Sequence, residues 1–270
     1  MGNTEQQVLE AFEAFLETIP LEDYRHELLM VKTVEQDLPK ELNPLPDIYK
    51  IYWTDCPKEF PSYEEFFITW WKEHLDPIDN FVKQYFWGCS YDFVRLGFKA
   101  RLYRTLISIL TQFHFNYTWR TYCQLPLEAS AELDMRGIDA IVRCDKASAA
   151  LQMKKETYRA EARGVGRFIQ KKQEVKMVVE LPYTVTKPQE WQRRVETSKS
   201  DRSKEQYQLF EWLATRLQRH LRNGFIVFDR RYPQLVEKYI LEQANKLASE
   251  DTVNIAWDEL LRSIKSIEDV

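Results

Sequence analysis

No stretch of this chain approaches the roughly 18 consecutive apolar residues that cross a bilayer. The opening MGNTEQQVLEAFEAFLETIP carries acids where a secretory signal would carry lysines, so a cytoplasmic protein is the expectation. Cysteine is sparse, and Cys56, Cys89, Cys123 and Cys144 make no C-x-x-C pair, which excludes the common zinc and redox signatures and leaves reduced, mostly buried thiols. His26, His74, His114 and His220 are equally scattered, so no H-x-H or H-E-x-x-H metal site is present. The close glycine pair Gly164 and Gly166 lacks a following G-K-[ST], which removes a nucleotide-binding loop, and no repeat period is seen.

What the chain does have is 44% apolar and 14% aromatic residues within 270, enough to bury one large core or two modest ones. Its net charge of -4 hides an asymmetry. Residues 1–50 hold eleven acids against four bases, whereas Lys154 to Lys176 holds eight bases against three acids. A basic stretch of that density attracts phosphate, although taken alone it reads equally as a solvated helix face.

The apolar spacing of Val8, Phe12, Phe15 or Leu16, and Ile19 predicts an amphipathic helix ending at Pro20. Pro44 and Pro46 interrupt KELNPLPDIYKIYW, which reads as a connector, and Cys56 to Pro61 reads as a further turn. Ser62 with Glu65 three residues on forms a capping box for a helix to about Trp71. Residues 92–119 repeat Val94, Phe98, Leu102, Leu106, Ile109, Leu110 and Phe113 as a long buried helix.

Beyond it the texture shortens. TYCQLPLEA, GIDAIVRC and AALQMKK read as a three-stranded meander, and MVVELPYTV reads as a fourth strand after a basic segment able to form a helix from Gly166. Ser203 to Arg222 reads as a helix, GFIVF as a buried strand, and Pro233 to Ala248 as a helix with proline in its first turn. Lys187 to Lys204 reads as a mobile loop or DNA-contacting arm.

The chemistry concentrates in RGIDAIV and LQMKK. Strand side chains alternate, so Gln152 and Lys154 share one face while Leu151 and Met153 face the core, and pairing of the two strands would bring Asp139 beside them. Phosphodiester hydrolysis needs a cation to offset phosphate charge and a group to orient water. Asp139, the Gln152 amide oxygen and the Met153 backbone carbonyl suit magnesium, which takes oxygen ligands and keeps several waters. Lys154 suits the attacking water and the developing negative charge. Asp134 and Glu128 are candidates for a second acid, Asp134 ranked first by proximity, and both read equally as solvated turn residues. Glu156 is a weaker candidate.

The order helix, three strands, helix, strand resembles the core of the PD-(D/E)XK nuclease fold, from which this chain departs in having Gln152 where Asp or Glu is usual. VKTVEQDLPKELNPLPD, QYFWGCSYDFVRLGFKARLYRT, EASAELDMRGIDAIV and LQMKKETYRAEAR resemble the TaqI-type restriction endonucleases in order and spacing, densest from Tyr85 to Arg163. The glutamine form Q-x-K is similar to the form that family carries. The resemblance implies an α/β (α+β) restriction-endonuclease-like core, with a central mixed sheet flanked by helices and helical additions at both ends. It implies a magnesium-dependent homodimer cutting the palindrome TCGA after T, with a separate cognate methyltransferase. The expected organisation is a helical region over 1–90 packed on a catalytic core over 91–232, with the basic arm near 187–204 and C-terminal helices over 233–270, in one compact unit. Arg159, Arg163, Arg167, Lys171 and Lys172 follow the catalytic strand and are expected to clamp the DNA backbone. The competing readings are a structure-specific repair or recombination nuclease of the same fold and a DNA-binding protein without cleavage activity.

Overall fold

Helix α1 (Glu5–Thr18) begins at a reciprocal cap, in which the Thr4 hydroxyl accepts from Gln7 N–H and the Gln7 side chain accepts from Thr4 N–H. It buries the expected stripe of Val8, Phe12, Phe15 and Leu16 and stops ahead of Pro20. The computed structural model describes residues 4–28, 31, 38–54, 60–145, 147–156, 175–247 and 252–268.

After α2 (Leu21–Leu28), the proline-bearing segment departs from the expected connector: it forms a 3-10 turn, Lys40–Leu42, and then α3 (Leu45–Tyr52). Pro44 is the N-cap and Pro46 lies in the first turn, where a missing N–H breaks no hydrogen bond. Leu42, Ile48 and Tyr52 are fully buried, so this stretch is core. Helix α4 (Tyr63–Glu73) starts at the Ser62–Glu65 capping box, followed by α5 (Leu75–Tyr85) and the long α6 (Tyr91–Tyr122).

The chain divides into two compact units, and the division falls inside α6. The first runs to Phe113 and includes Leu221–Phe225. It is helical and held by rings: Phe15 stacks on Tyr52 at 5.5 Å, Phe12 meets Phe60 edge-on at 5.2 Å and Trp70 lies 5.8 Å from Phe98. Within it, Glu64 accepts from the Tyr24 hydroxyl at 2.7 Å and pairs with Lys99 at 2.7 Å. Asn223 donates to the carbonyls of Leu16 and Ile19 at 2.7 and 2.9 Å, covering the open end of α1.

The second unit, His114–His220 with Ile226–Val270, carries the sheets. Its strands are β1 (Leu127–Glu128), β2 (Ala140–Cys144), β3 (Ala147–Lys155), β4 (Met177–Tyr183), β5 (Gln218–His220), β6 (Ile226–Phe228) and β7 (Val253–Ile255), with a short helix α7 (Ala131–Met135) after β1. One sheet has the order β1-β2-β3-β4-β7, antiparallel through β3 and parallel beyond it, and β5 pairs with β6. This is the expected mixed sheet flanked by helices.

Three further local expectations fail. The first strand shrinks to two residues because α6 continues to Tyr122. Lys187 to Lys204 is no loop: α8 (Pro188–Thr197) starts with Pro188 in its first turn and is anchored by buried Trp191, which stacks on Phe210 at 5.0 Å and donates to the Thr184 hydroxyl at 2.9 Å. Helix α9 (Asp201–Arg216) ends six residues before Arg222, since Gln218–His220 pairs with Ile226–Phe228 around Gly224, whose φ of 87° suits glycine. Helices α10 (Arg231–Lys246) and α11 (Trp257–Glu268) complete the chain.

Alternate residues of the five-stranded sheet build two different faces. Ala140, Val142, Ala149, Leu151, Met177, Val179 and Leu181 join a large core with Leu213, Val236, Ile240, Leu260 and Ile264 from the helices. Ile141, Ala150 and Val178, from the other parity, join only Ile138 and Val175, with Leu133 against them. No helix among the described residues is long and apolar enough to cross a membrane.

Candidate active site

The approach to the site is made by α7. Ser130 caps it by accepting from Leu133 N–H at 3.2 Å. It closes in a Schellman motif, with Ile138 N–H bonded to Leu133 C=O and Gly137 N–H to Asp134 C=O. Gly137 takes the left-handed position at φ 80°, and Leu133 and Ile138 meet in the smaller apolar cluster, as this motif favours. The turn places Asp134 on the helix and Asp139 at the mouth of β2.

Asp139 N–H donates to Leu151 C=O at 3.0 Å. One step on from the Ala140–Leu151 pair, Asp139 therefore stands opposite Gln152. Here the backbone ladder stops, because the turn at Gly137 carries the chain away, and side chains continue it. Asp139 Oδ2 accepts from Met153 N–H at 2.5 Å, and Gln152 Nε2 donates to Gly137 C=O at 2.5 Å. The second bond settles the amide's orientation, since a carbonyl can only accept, and it leaves Gln152 Oε1 as the outward acceptor. Lys154 follows Gln152 on the same parity, so Asp139, Gln152 and Lys154 lie on the face opposite Leu151.

Electrostatics tie this group together. Burial pushes the Asp139 carboxyl up to about 7, the negative charge of Asp134 adds to the rise, and the Met153 N–H and the charge of Lys154 oppose it. Part of Asp139 still reaches solvent.

The other expected residues fall in different places. Met153 packs its side chain on the large core, leaving only its backbone near Asp139. Glu128 lies on the outer strand, and its two oxygens accept from Arg143 at 2.8 and 2.9 Å. Glu156 accepts from Val185 N–H and the Thr186 hydroxyl, beyond the end of β3. Arg159, Arg163, Arg167, Lys171 and Lys172, with the helix expected from Gly166, lie outside the described residues. No group of three or more His, Cys, Asp and Glu side chains among the described residues is arranged to hold a metal ion. Sequence reasoning passed over Glu180, which β4 sets beside Gln152; its only signal was a lone acid in an apolar strand.

Residues 9–240 match the family model of the TaqI restriction endonuclease. The chain belongs to the TaqI restriction endonuclease family. It is 46% identical over 264 residues to the type II restriction enzyme TaqI of Thermus aquaticus, covering 96% of this chain and 97% of that one. It is likewise 46% identical over 259 residues to the type II restriction enzyme TthHB8I of Thermus thermophilus, covering 95% of each. No solved structure matches it. As a member of the TaqI family it is a type II restriction endonuclease, a site-specific deoxyribonuclease acting on double-stranded DNA with a divalent cation.

Proposed function

We propose that this protein cuts double-stranded DNA at the palindrome TCGA, after T on each strand, as a magnesium-dependent homodimer whose chemistry is carried by Asp139, Gln152 and Lys154. The observation that carries the reading is the meeting of Asp139 and Gln152 across β2 and β3, with Lys154 on the same face, in a chain 46% identical to the enzyme named TaqI. A palindrome offers two equivalent strands, and a two-fold protein offers one site to each.

The residues fit magnesium. Asp139 Oδ1 has no hydrogen-bond partner among the described residues, and a carboxyl raised by burial and by a second carboxyl is one that a cation would favour in its ionised form. Magnesium is commonly held by one or two carboxylates with water and substrate phosphate completing its shell, which Asp139 with Asp134 satisfies without a third acid. We assign Met153 C=O and Gln152 Oε1 as further oxygen donors and leave Glu128 out, since both its oxygens already serve Arg143. When bound, the cation offsets charge on the phosphate and lowers the pKa of water. Lys154 holds the attacking water and stabilises charge developing on the phosphoryl oxygens, and Asp139 fixes the strand end by capping Met153 N–H.

Arg159, Arg163, Arg167, Lys171 and Lys172 are assigned to the DNA backbone on the charge of their segment. An enzyme with this target needs a separate methyltransferase to protect the DNA of its own cell, and a cytoplasmic location follows from that substrate. Digesting plasmid in magnesium and sequencing the fragment ends tests the proposal. Ends at T/CGA support it. Discrete ends at another palindrome change the target, structure-dependent nicks indicate a repair nuclease, and intact DNA indicates a binding protein without cleavage.

A further inference from the structure

The parallel pairing of β3 with β4 places Gln152 directly beside Glu180, as Asp139 stands on the other side of Gln152. The three form one row across three strands, acid, amide, acid, all on the face opposite Leu151 and Val179. Neighbouring strands are about 4.8 Å apart, so adjacent members of the row are within reach of one shared ligand.

Two features of the row call for an occupant. Gln152 is 5% exposed and Glu180 9%, so both are polar side chains in a largely dry setting. Gln152 commits its Nε2 to Gly137 C=O, and Glu180 Oε2 accepts from Trp257 N–H at 3.2 Å. Gln152 Oε1 and Glu180 Oε1 are left without a hydrogen-bond partner among the described residues. Two acceptors side by side, one of them charged, repel each other unless a donor or a cation lies between them.

We infer that Glu180 and Gln152 Oε1 hold a hydrated divalent cation between them, so that Glu180 contributes the negative charge which nucleases of this fold place on the catalytic strand. The inference rests on the nuclease reading of Asp139 and Lys154. It also explains the amide: a carboxylate at 152 would be flanked by carboxylates on both neighbouring strands, and an amide keeps the oxygen without the repulsion. A water molecule alone would satisfy both acceptors but would bring no positive charge to Glu180.

The test is Mn2+ binding, followed by the electron paramagnetic resonance of free Mn2+, to the full chain with and without a duplex containing TCGA. Glu180→Gln keeps an acceptor for Trp257 N–H and the size of the side chain while removing its charge. It is expected to weaken Mn2+ binding about 10- to 100-fold, the range seen when outer ligands of a metal are removed, with melting of the metal-free protein no lower than wild type. Wild-type Mn2+ affinity in folded E180Q would overturn the inference. Asp139→Asn run in parallel separates the two levels: loss of Mn2+ in D139N with none in E180Q sinks only the role of Glu180, whereas normal binding and cleavage in D139N sinks the nuclease centre. Should E180Q fail to fold, wild-type crystals soaked in Mn2+ decide. An anomalous peak flanked by Glu180 and Gln152 supports the inference, and a peak beside Asp139 alone refutes it.

Discussion

The two faces of the five-stranded sheet are built from alternate residues of the same strands, yet they do different work. On one, Leu151, Val179, Leu181 and their neighbours are sealed under α9, α10 and α11. On the other, a small apolar cluster ends at Gln152, and from there the face turns polar with Asp139, Lys154 and Glu180. Packing on the first face holds the strands in register; that register sets Asp139, Gln152, Lys154 and Glu180 on the second. On the proposed assignment of Asp139, Gln152 and Lys154, stability and chemistry are separated by strand parity rather than by distance.

Substitutions three residues apart on the same strand, but on opposite faces, should therefore fail in opposite ways. Lys154→Ala should lower single-turnover cleavage about a hundred- to a thousandfold, the scale of losing a charge-stabilising group at a reacting centre, while binding of a TCGA duplex in Ca2+ stays near wild type. Full cleavage by this variant would mean that Lys154 is not at the centre. Leu151→Ala, three positions earlier on the opposite face, should cost about 2–5 kcal/mol in urea unfolding, with cleavage per folded molecule retained.

Asp139 sharpens the comparison through pH. Its carboxyl is raised in the fold to about 7, so the stability it contributes is full below the ordinary carboxylate range and is lost as pH climbs to about 7. Asp139→Asn should therefore make the metal-free protein more stable at pH 8, by about 1 kcal/mol allowing for partial solvent access, and flatten its stability between pH 5 and 8 on the order of that amount. Cation affinity of the wild type should rise over the same interval, because the ligand must be ionised. Calorimetry in two buffers of different ionisation heat checks this by the proton released.

Smaller effects are expected away from both faces' centres. Neutralising Arg167 or Lys171 should weaken binding to all sequences alike and reduce the salt slope by about 1, and a changed sequence preference would move those residues into base reading. Glu128→Ala, which breaks only an exposed pair with Arg143, should shift stability by less than about 1 kcal/mol and leave cleavage unchanged; lost cleavage would bring Glu128 into the centre.

How much of this could be read in advance follows the range of the interactions. The cap at Ser62, the stripe of α1 and the parity that joins Gln152 to Lys154 depend on residues a few positions apart, and each was readable. Pro44 and Pro46 misled because a proline at a helix start and a proline in a connector look alike until burial of Ile48 and Tyr52 decides between them. Lys187 to Lys204 misled because its charge outweighed a single anchor, Trp191, whose partners Thr184 and Phe210 lie on other elements. The apolar run GFIVF announced β6, but its hairpin partner β5 and the strand β7 are too short to announce themselves by periodicity.

By itself the sequence determined which residues of β2 and β3 share a face, because alternation is a property of one extended chain, and it determined the family through blocks spanning most of its length. That Asp139 stands opposite Gln152, that Glu180 stands beside it, and that Asp139 is buried enough to hold its proton near neutrality were decided only by the tertiary structure. Register between strands and desolvation of a carboxyl both arise from atoms distant in the chain, brought together by burial of the opposite face.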